Sequence, residues 1–554
     1  MIPLCLLVAS LTGAAEAPAD LLLEGGTVYA SAEAVPVRAS VVAAGGRIVF
    51  VGDPAAARAR AAGARVVNLE GAFVFPGFAD AHLHLLGVGK SLEVADLKGA
   101  TASAEAARRM AKAAEALPPG RWVEGRGWDQ NLWPGRQFPR TDDLDRAVPD
   151  RPAIARRVDG HAIWVNSVAL RTAGVGASTP DPEGGRILRR PDGTPSGVLV
   201  DNATTLVEAA MPPETAADLR RRLLAGARAC AAAGLTEVQD ASAYEADVIA
   251  ALAAFSDRRE LPLRVYATVS SAPASLEAFL AAGKRIGSGS DFLTVRAVKA
   301  YADGALGSRG AALLEDYADE PGRRGLLVTP PERLTSIATE ARRHGWQLWI
   351  HAIGDRGNRV ALDAFERAAR DVPDPAAGGE RPRIEHAQVV APTDFPRFAH
   401  DGVIASIQPT HATSDMPWAL DRLGSARLEG AYAWRRFRDA GVRMAGGSDA
   451  PVESENPLYG FYAAVTRQDA SGHPPGGWLP SQRLTREEAL ALFTSGAAYA
   501  AFEEGVRGRI EAGYAADLTV LAKDPMTVPT AQIRSIPVLL TVVGGRIAYG
   551  PMRP

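Results

Sequence analysis

The stretch that decides the fold is FPGFADAHLHL, residues 75–85, a short apolar run that contains two histidines. Its length and the glycine and proline at its start are typical of a β-strand. Side chains two positions apart in a strand point to the same face, so His82 and His84 face the same side. Imidazoles on one face of an apolar strand are unexpected in a plain core, and they raise the question of which strands surround them.

Seven further strand candidates follow, and most are separated by stretches with helical periodicity, such as ETAADLRRRLLAGARACAAAG and PERLTSIATEARRHG. Eight β-then-α units predict an α/β fold of the (β/α)8 TIM-like barrel type. In such barrels the carboxyl ends of the strands share one active-site face. The eight candidates begin near residues 75, 234, 263, 292, 346, 382, 402 and 442.

The first two strands are separated by far more than the roughly 30 residues of an average barrel unit. We therefore predict an insertion at about residues 90–220 within a barrel spanning residues 76–499. The insertion contains four of the nine tryptophans, Trp122, Trp128, Trp133 and Trp164. We expect it to cover the barrel mouth and to supply apolar surface for a substrate, the alternatives being packing on the barrel flank or a dimer contact.

Both ends of the chain differ from the middle in sequence pattern, because they consist of short β-type runs separated by glycine turns. Residues 18–75 and 500–554 share this pattern. We predict one small composite β-sandwich assembled from both termini.

Residues 1–17 form an apolar run that ends in Ala15-Glu16-Ala17, a pattern that a signal peptidase cleaves. This predicts an exported protein, periplasmic or secreted, whose mature chain begins near Pro18. The alternative is a cytoplasmic protein, because no Lys or Arg precedes Arg38 and the basic part of a signal is missing. The run is shorter than the roughly 20 residues that a membrane span requires, so no span is expected.

The balance of 61 Lys plus Arg against 64 Asp plus Glu gives a net charge of −3, which argues against a nucleic-acid partner. A small-molecule partner is expected, and a homodimer is left open. Of the two cysteines, Cys5 lies in the signal run and leaves Cys230 alone, so no disulfide is expected in the mature chain.

Six polar residues lie at or near the predicted carboxyl ends of five barrel strands: His82, His84, Lys299, His351, His386 and Asp449. Imidazole and carboxylate groups suit zinc and similar divalent ions. Each motif alone has a plain interpretation, such as satisfied histidines or a helix N-cap at Asp449. The set as a whole favours a metal centre. Lys299 is the exception, because an ammonium group cannot bind a cation, and it is either a substrate anchor or a lysine carbamylated to an anionic bridge.

In chain order, the motifs DAHLHL, DGHAIWVNSVAL, VKAYADGALGSR, HAIGDRGN, IEHAQ, IQPTHATSD and GSDAPV resemble the YtcJ-like branch of the amidohydrolase superfamily. The resemblance covers nearly all of the chain after residue 17. It implies a distorted barrel with a composite β-sandwich and two divalent ions, with zinc the expected metal. In this pattern His82 and His84 hold one ion, His351 and His386 hold the other, Lys299 bridges them as an N6-carboxylated lysine, and Asp449 is both ligand and catalytic base.

The predicted activity is metal-dependent hydrolysis of a C–N bond by a metal-activated hydroxide, with Asp449 moving the proton. The resemblance points to an amide-type substrate, such as an N-substituted formamide or another hydrophobic amide. Ser308 and Arg309 follow strand four closely enough to reach a substrate, although Arg309 could equally lie on the surface. The predicted substrate contacts are His161, Trp164, Ser308, Arg309, Gln408 and His411.

Other classes of function are compatible with parts of the pattern. A mononuclear deaminase or cyclic amidine hydrolase would use a similar barrel without a bridging Lys299. A non-catalytic exported binding or regulatory protein, or a secreted structural protein, would tolerate a broken ligand set, and none of the six positions is broken. The ratio of metal to protein separates the first of these from the dinuclear hydrolase.

Overall fold

The computed structural model describes residues 19–287, 291–374 and 381–550, which form three sheets and their surrounding helices. The predicted signal segment and Cys5 lie outside these residues. Cys230 is a buried free thiol.

The largest sheet is a nearly closed parallel barrel, as predicted, and each of the eight strand candidates forms one of its strands. The strands pair in chain order, so each one is hydrogen-bonded to the next. They are β1 (Phe78–Leu83), β2 (Leu235–Tyr244), β3 (Arg264–Ser270), β4 (Leu293–Tyr301), β5 (Gln347–Ala352), β6 (Arg383–His386), β7 (Ile404–Ile407) and β8 (Met444–Gly446). A short antiparallel strand, Arg285–Ile286, pairs with β4.

The ring closes between β8 and β1 at the carboxyl end of the strands. The backbone N–H of Asp449 donates to the carbonyl of His82 at 2.6 Å, and that of His84 donates to the carbonyl of Ala450 at 2.8 Å. The Asp80 carboxylate accepts from the N–H of Ser448. These contacts fix the two ends of the barrel sheet against each other beside the predicted ligands.

Helices surround the barrel, and some of them begin at a side chain that caps the first turn. Thr215 accepts from the N–H of Asp218, and Thr485 forms a reciprocal capping box with Glu488. The α-helices around the barrel are Leu85–Ser91, Ala216–Ala232, Ala246–Asp257, Pro273–Ala282, Pro331–Arg343, Asp355–Asp371, Phe395–His400, Pro409–Asp415, Ala419–Arg427, Trp434–Asp439, Pro457–Thr466, Arg486–Leu492 and Ser495–Ala500. Short 3-10 turns lie at Leu428–Gly430 and Pro480–Gln482, and a third at Thr530–Ser535 precedes the last strands of the chain.

The second sheet combines strands from both ends of the chain. Phe73–Pro76 pairs antiparallel with Leu518–Leu521, which joins the two termini. Its edges approach each other because Ala516 donates to the carbonyl of Gly46 and accepts from the N–H of Gly545. One helix, Pro54–Arg60, interrupts the expected run of strands. The eight strands are Leu21–Val28, Val37–Ala44, Arg47–Gly52, Arg65–Asn68, Phe73–Pro76, Leu518–Leu521, Val538–Val543 and Arg546–Tyr549.

The third sheet lies within the insertion and has its own core. Trp128, Trp133 and Trp164 are buried there, with ring centroids 6.0 and 6.3 Å from Trp128. The expectation that these rings supply substrate surface is therefore corrected, because they form the insertion's own core. The strands are Ala95–Asp96, Val123–Trp128, Ala153–Arg157, Ala162–Val165, Gly185–Arg189 and Pro195–Asp201. The α-helices are Ser103–Glu115, Thr141–Ala147, Ser167–Thr172 and Thr205–Glu208, with 3-10 turns at Gln130–Leu132, Pro134–Arg136 and Asn202–Thr204.

Among the described residues, we find no helix that combines the length and the apolar character needed to cross a membrane.

Candidate metal centre

The carboxyl ends of the barrel strands surround a cavity of about 290 Å³. Five different strand ends contribute to its wall, and so does the insertion, through residues that include His161, Arg126 and Arg156. The six residues predicted as metal ligands all line it: His82, His84, Lys299, His351, His386 and Asp449.

Asp449 lies at the centre of this cluster. Its Oδ1 is 3.0 Å from Nε2 of His84 and 3.5 Å from Nε2 of His82. Its Oδ2 is 3.6 Å from Nε2 of His411. Asp449 and His386 both have left-handed backbone, with φ of 58° and 73°. Such strain in residues other than glycine is typical of functional sites.

The donor atoms form two groups that share Asp449. The first is His82, His84 and Asp449, and the second is His386, His411 and Asp449; within each group the donor atoms lie within 4.8 Å of one another. His351 packs against the second group, with its ring centroid 4.5 Å from that of His386. The structure therefore adds His411, which we expected to contact only substrate, to the candidate ligands.

Three imidazole nitrogens of this cluster are buried and have no hydrogen-bond partner among the described residues: Nε2 of His82, Nδ1 of His386 and Nε2 of His411. A buried polar atom without a partner costs about 1–3 kcal/mol, so such atoms are rare in native proteins. A divalent ion takes up the lone pairs of neutral imidazoles and carboxylates. The donor set thus fits a metal ion, and this arrangement has no equally simple explanation as ordinary packing.

The protonation states suit metal binding. Burial lowers the pKa of His82 to about 4, and it holds the pKa values of His351 and His386 well below the ordinary value. Burial opposes ionisation of Asp449, but the hydrogen bond with His84 and the neighbouring imidazoles hold its pKa well below the ordinary value. Three of the imidazoles are therefore neutral at pH 7 while the carboxylate is charged, as ligands must be.

Lys299 is fully enclosed in the barrel, with its Nζ 5.1 Å from the ring centroid of Tyr301. Burial lowers its pKa to about 8, which raises the fraction of neutral amine at neutral pH. A neutral amine is the form that reacts with carbon dioxide. Lys299 is thus an unusual lysine, buried beside the candidate ligands.

Two buried carboxylates that sequence analysis missed hold His82, one through its ring and the other through its backbone. Glu385 accepts a hydrogen bond from Nδ1 of His82, which turns Nε2 toward Asp449. Burial opposes its ionisation, yet Arg383 and His82 hold the pKa of Glu385 at about 2. Asp80 accepts from the backbone N–H of His82 at 2.9 Å. Their positions beside the histidine motifs were the available signal, because Glu385 lies one residue before His386 and Asp80 lies two residues before His82.

A third carboxylate, that of Asp201, holds the predicted substrate contact His161. Nδ1 of His161 is 2.7 Å from Oδ1 of Asp201, which lies at the end of an insertion strand. Asp201 has a φ of 50°, and a Cβ at Gly304 or Gly310 would lie 2.4 Å from its Oδ2. Although burial disfavours protonation, the bond to Asp201 and its charge raise the pKa of His161. The glycines of DGALGSRG therefore make room for the carboxylate that orients His161.

The other predicted substrate contacts divide into two groups. His161 and His411 line the site, with the His161 ring centroid 4.9 Å from that of His351. Trp164, Ser308, Arg309 and Gln408 do not line it.

Each of these four has a different reason for lying away from the wall. Trp164 is fully buried in the insertion and donates from Nε1 to the carbonyl of Arg140. The Ser308 hydroxyl donates to the carbonyl of Ala305, and Arg309 pairs with Asp319. Gln408 donates to the carbonyl of Ser406, and its buried Oε1 has no partner among the described residues.

A second lobe of about 60 Å³ extends the cavity and shares His161, His351, His386 and Asp449 with the first. Its wall combines the apolar side chains Leu306, Ile353, Trp418 and Val452 with charged groups of the insertion. The insertion thus contributes to the wall through its loop around residues 157–161 rather than through its tryptophans.

Comparisons with known proteins identify the family of the chain. The sequence profile of the Amidohydrolase family matches residues 65–549. YtcJ of Bacillus subtilis (strain 168) is 36% identical over 488 residues, covering 87% of this chain and 90% of YtcJ. The N-substituted formamide deformylase of Arthrobacter pascens is 28% identical over 530 residues, covering 92% of this chain and 94% of that protein.

Among solved structures, an uncharacterised metal-dependent hydrolase from Pyrococcus horikoshii OT3 is similar, with a TM-score of 0.74 and 27% identity over 92% of this chain and 99% of that one. The family profile, the relatives and the His/Asp cluster agree. The chain belongs to the Amidohydrolase family and is a metal-dependent hydrolase.

Proposed function

We propose that the protein hydrolyses an amide-type C–N bond, with N-substituted formamides as the first candidate class. The observation that carries the proposal is the convergence of buried imidazole nitrogens without partners on the Asp449 carboxylate. The Arthrobacter pascens relative, named an N-substituted formamide deformylase, supports the substrate class.

In this proposal the chain holds two divalent ions, with zinc the expected metal. His82 and His84 would hold one ion, His351 and His386 would hold the other, and a carbamylated Lys299 would be a ligand that both ions share. Asp449 serves the cluster as a shared carboxylate, and His411 is a further donor within its reach. When bound, such ions supply Lewis acidity that lowers the pKa of water and polarises a carbonyl.

Asp449 is the residue that moves the proton. Its low pKa keeps the carboxylate ionised at neutral pH, so it can accept a proton from the attacking water. It then returns this proton to the leaving nitrogen, which departs as a neutral amine. Proton transfer of this kind contributes roughly 10²–10⁴-fold to a rate.

His161 contacts the substrate from the opposite wall. Asp201 fixes the orientation of its ring, so that the second ring nitrogen is free to bond a substrate oxygen or nitrogen. His161→Ala should lower kcat/KM roughly 10–100-fold with metal content unchanged. His344→Ala, which changes an exposed histidine away from the site, is the matched control.

The test combines metal analysis with a substrate panel. Purified protein reconstituted with zinc and bicarbonate is assayed against N-benzylformamide, N-benzylacetamide, a cyclic imide, a lactone and a cyclic amidine. We expect about two ions per chain and hydrolysis of the formamide. One tightly bound ion that is insensitive to bicarbonate, together with ammonia release from the amidine, would instead show a mononuclear deaminase.

Lys299→Ala separates a bridge from an anchor. If Lys299 is a carbamate bridge, the variant loses metal and activity together, and formate or acetate restores part of both. If Lys299→Arg keeps full activity, the residue is a cationic anchor and the bridge is wrong.

Export is also part of the proposal. Protein recovered from the periplasm or medium of the native host should begin near Pro18. Retention of Met1 in a cytoplasmic fraction would contradict it.

A further inference from the structure

The sheet of the insertion presents two arginines to the cavity of the metal centre. Arg126 and Arg156 lie on adjacent parallel strands and are direct partners in the register. Both line the 290 Å³ cavity that the candidate ligands surround. The insertion therefore brings positive charge to the wall of the site.

Arg126 is half-buried, and it has few of the contacts that an enclosed arginine normally makes. A guanidinium offers five N–H donors. The hydrogen bond found for it is from Nη2 to the carbonyl of Val158 at 3.2 Å, and its buried Nε has no partner. Among the described residues, no carboxylate forms an ion pair with it.

Several buried arginines of the chain are paired with acids, whereas the buried Arg467 bonds the backbone carbonyls of Tyr432 and Trp478. Arg157 binds Asp129 and Asp159, Arg264 binds Asp517, and Arg383 binds Glu385. Arg156, the neighbour of Arg126 across the strands, also forms an ion pair, with Glu208. Arg126 thus has a charge that the described residues leave uncompensated.

The surroundings of Arg126 increase the cost of this charge. Like charges directly opposite each other on neighbouring strands are destabilising. Burial, and then the charge of Arg156, lower the pKa of Arg126 to about 10, so it remains a cation at neutral pH. The nearby acids are already engaged, Asp159 by Arg157 and Asp449 by the histidines. An anion that enters with the substrate would relieve this arrangement.

We propose that Arg126 binds a carboxylate of the substrate, with Arg156 as the second positive charge of this subsite. A planar guanidinium binds a carboxylate through two parallel hydrogen bonds, which fixes orientation as well as charge. The substrate class is then an amide that bears a carboxylate near the scissile bond, such as an N-formyl or N-acyl amino acid. This inference rests on the proposed amide hydrolysis and narrows it.

The experiment compares two substrates that differ only in this charge. N-formyl-L-phenylalanine carries the carboxylate, and N-formyl-L-phenylalaninamide replaces it with an uncharged carboxamide. The measured quantity is the ratio of kcat/KM for the acid to kcat/KM for the amide, in wild-type protein and in variants. Metal content and melting temperature are measured for every variant, so that loss of fold is recognised.

Wild-type protein should prefer the acid. In Arg126→Met the ratio should fall about 100-fold, since a charged pair of hydrogen bonds is lost. Arg126→Lys keeps the charge but not the planar guanidinium, so in this variant the ratio should fall about 10-fold. If Arg126→Met does not fold, Arg126→Lys is used as the test. Arg121→Gln changes an exposed arginine just before the same strand and should leave the ratio within about twofold.

Three outcomes overturn the subsite. If wild-type protein hydrolyses both formamides equally well, or if Arg126→Met keeps the wild-type ratio, Arg126 does not bind a carboxylate, while amide hydrolysis stands. If neither formamide nor any amide of the panel is hydrolysed, the proposed function fails and the subsite fails with it.

Discussion

Two polar layers lie one above the other in the barrel lumen, and they differ in how well their hydrogen bonds are satisfied. The ligand layer at the carboxyl ends of the strands consists of His82, His84, Lys299, His351, His386 and Asp449. The arginine layer beneath it consists of Gln239, Gln347, Trp349, Arg383, Glu385 and Ser406, all buried.

In the arginine layer, every side chain finds partners within the protein. Arg383 on β6 reaches Gln239 on β2 at 2.6 Å and the carbonyl of Ala81 on β1 at 2.6 Å, so it crosses the lumen. Its guanidinium lies 3.7 Å from the ring centroid of Trp349. A fully satisfied buried network of this kind holds a fold together.

In the ligand layer, by contrast, the nitrogens of His82 and His386 that lack partners are as deeply buried as Arg383. Both layers lose their hydrogen bonds to water on folding, but only the arginine layer replaces all of them with hydrogen bonds to the protein. Polar side chains in a barrel lumen therefore do not by themselves indicate function. Buried nitrogens without a hydrogen-bond partner do indicate function, because they require a group that the chain does not provide.

The largest expected effect comes from the centre of the ligand layer. Asp449→Asn should lower kcat about 10²–10⁴-fold, because the proton acceptor is lost. Its free energy of unfolding should change little, since the lower layer remains intact. Steady-state kinetics and chemical denaturation measure the two effects, with the exposed Asp439→Asn as control. A kcat near that of the wild type would show that Asp449 is not the catalytic base.

The second effect belongs to the arginine layer. Arg383→Met should lower the free energy of unfolding by roughly 3–5 kcal/mol, because Glu385 is left buried without its cation. Arg367→Met removes an exposed pair with Asp371 and should leave stability almost unchanged. If denaturation shows equal stability for both variants, the arginine layer does not hold the fold together.

Glu385 connects the layers, because it contacts both Arg383 and His82. Glu385→Gln keeps an acceptor for His82 but removes the charge, so metal affinity should fall roughly 10–100-fold. Competition with a chelator measures this affinity. Glu366→Gln, on the outer helix Asp355–Asp371, is the control. Unchanged affinity would show that the two layers act independently.

The smallest effect is a pH dependence of metal loading. The pKa of Lys299 is lowered to about 8, so the neutral amine grows as pH rises toward and through that value. Between pH 7 and pH 8 its fraction rises about fivefold, whereas an ordinary lysine stays almost fully protonated. Bicarbonate-dependent reconstitution of metal-free protein should therefore accelerate over this range. A rate that is independent of pH and bicarbonate would remove the carbamate.

The sequence was sufficient to predict all eight barrel strands, because each is a short apolar run between helical stretches and turn residues. It also placed six polar residues at strand ends that the fold brings to one cavity. Both predictions depend on the pattern of residues within single strands and on the fact that parallel strands end at the same side of the barrel.

Contributions from the insertion could not be predicted in this way. Trp164 looked like substrate surface but packs in the insertion's core, because sequence does not show which face of a new sheet meets the barrel. Arg126 could not be singled out in a chain with only six lysines and many arginines. Arg126 stands out because its Nε has no partner, and Asp201 stands out because it bonds His161. Both facts depend on contacts between distant parts of the chain.

The ligand layer is predicted to be a metal centre. Elemental analysis of protein reconstituted with zinc and bicarbonate, then freed of loose metal by gel filtration, tests it directly. We predict about two ions per chain in wild-type protein and a loss of metal in a His82→Ala, His386→Ala double variant that stays folded. Folded wild-type protein that retains no ion, or a double variant that retains as much as the wild type, would contradict the claim.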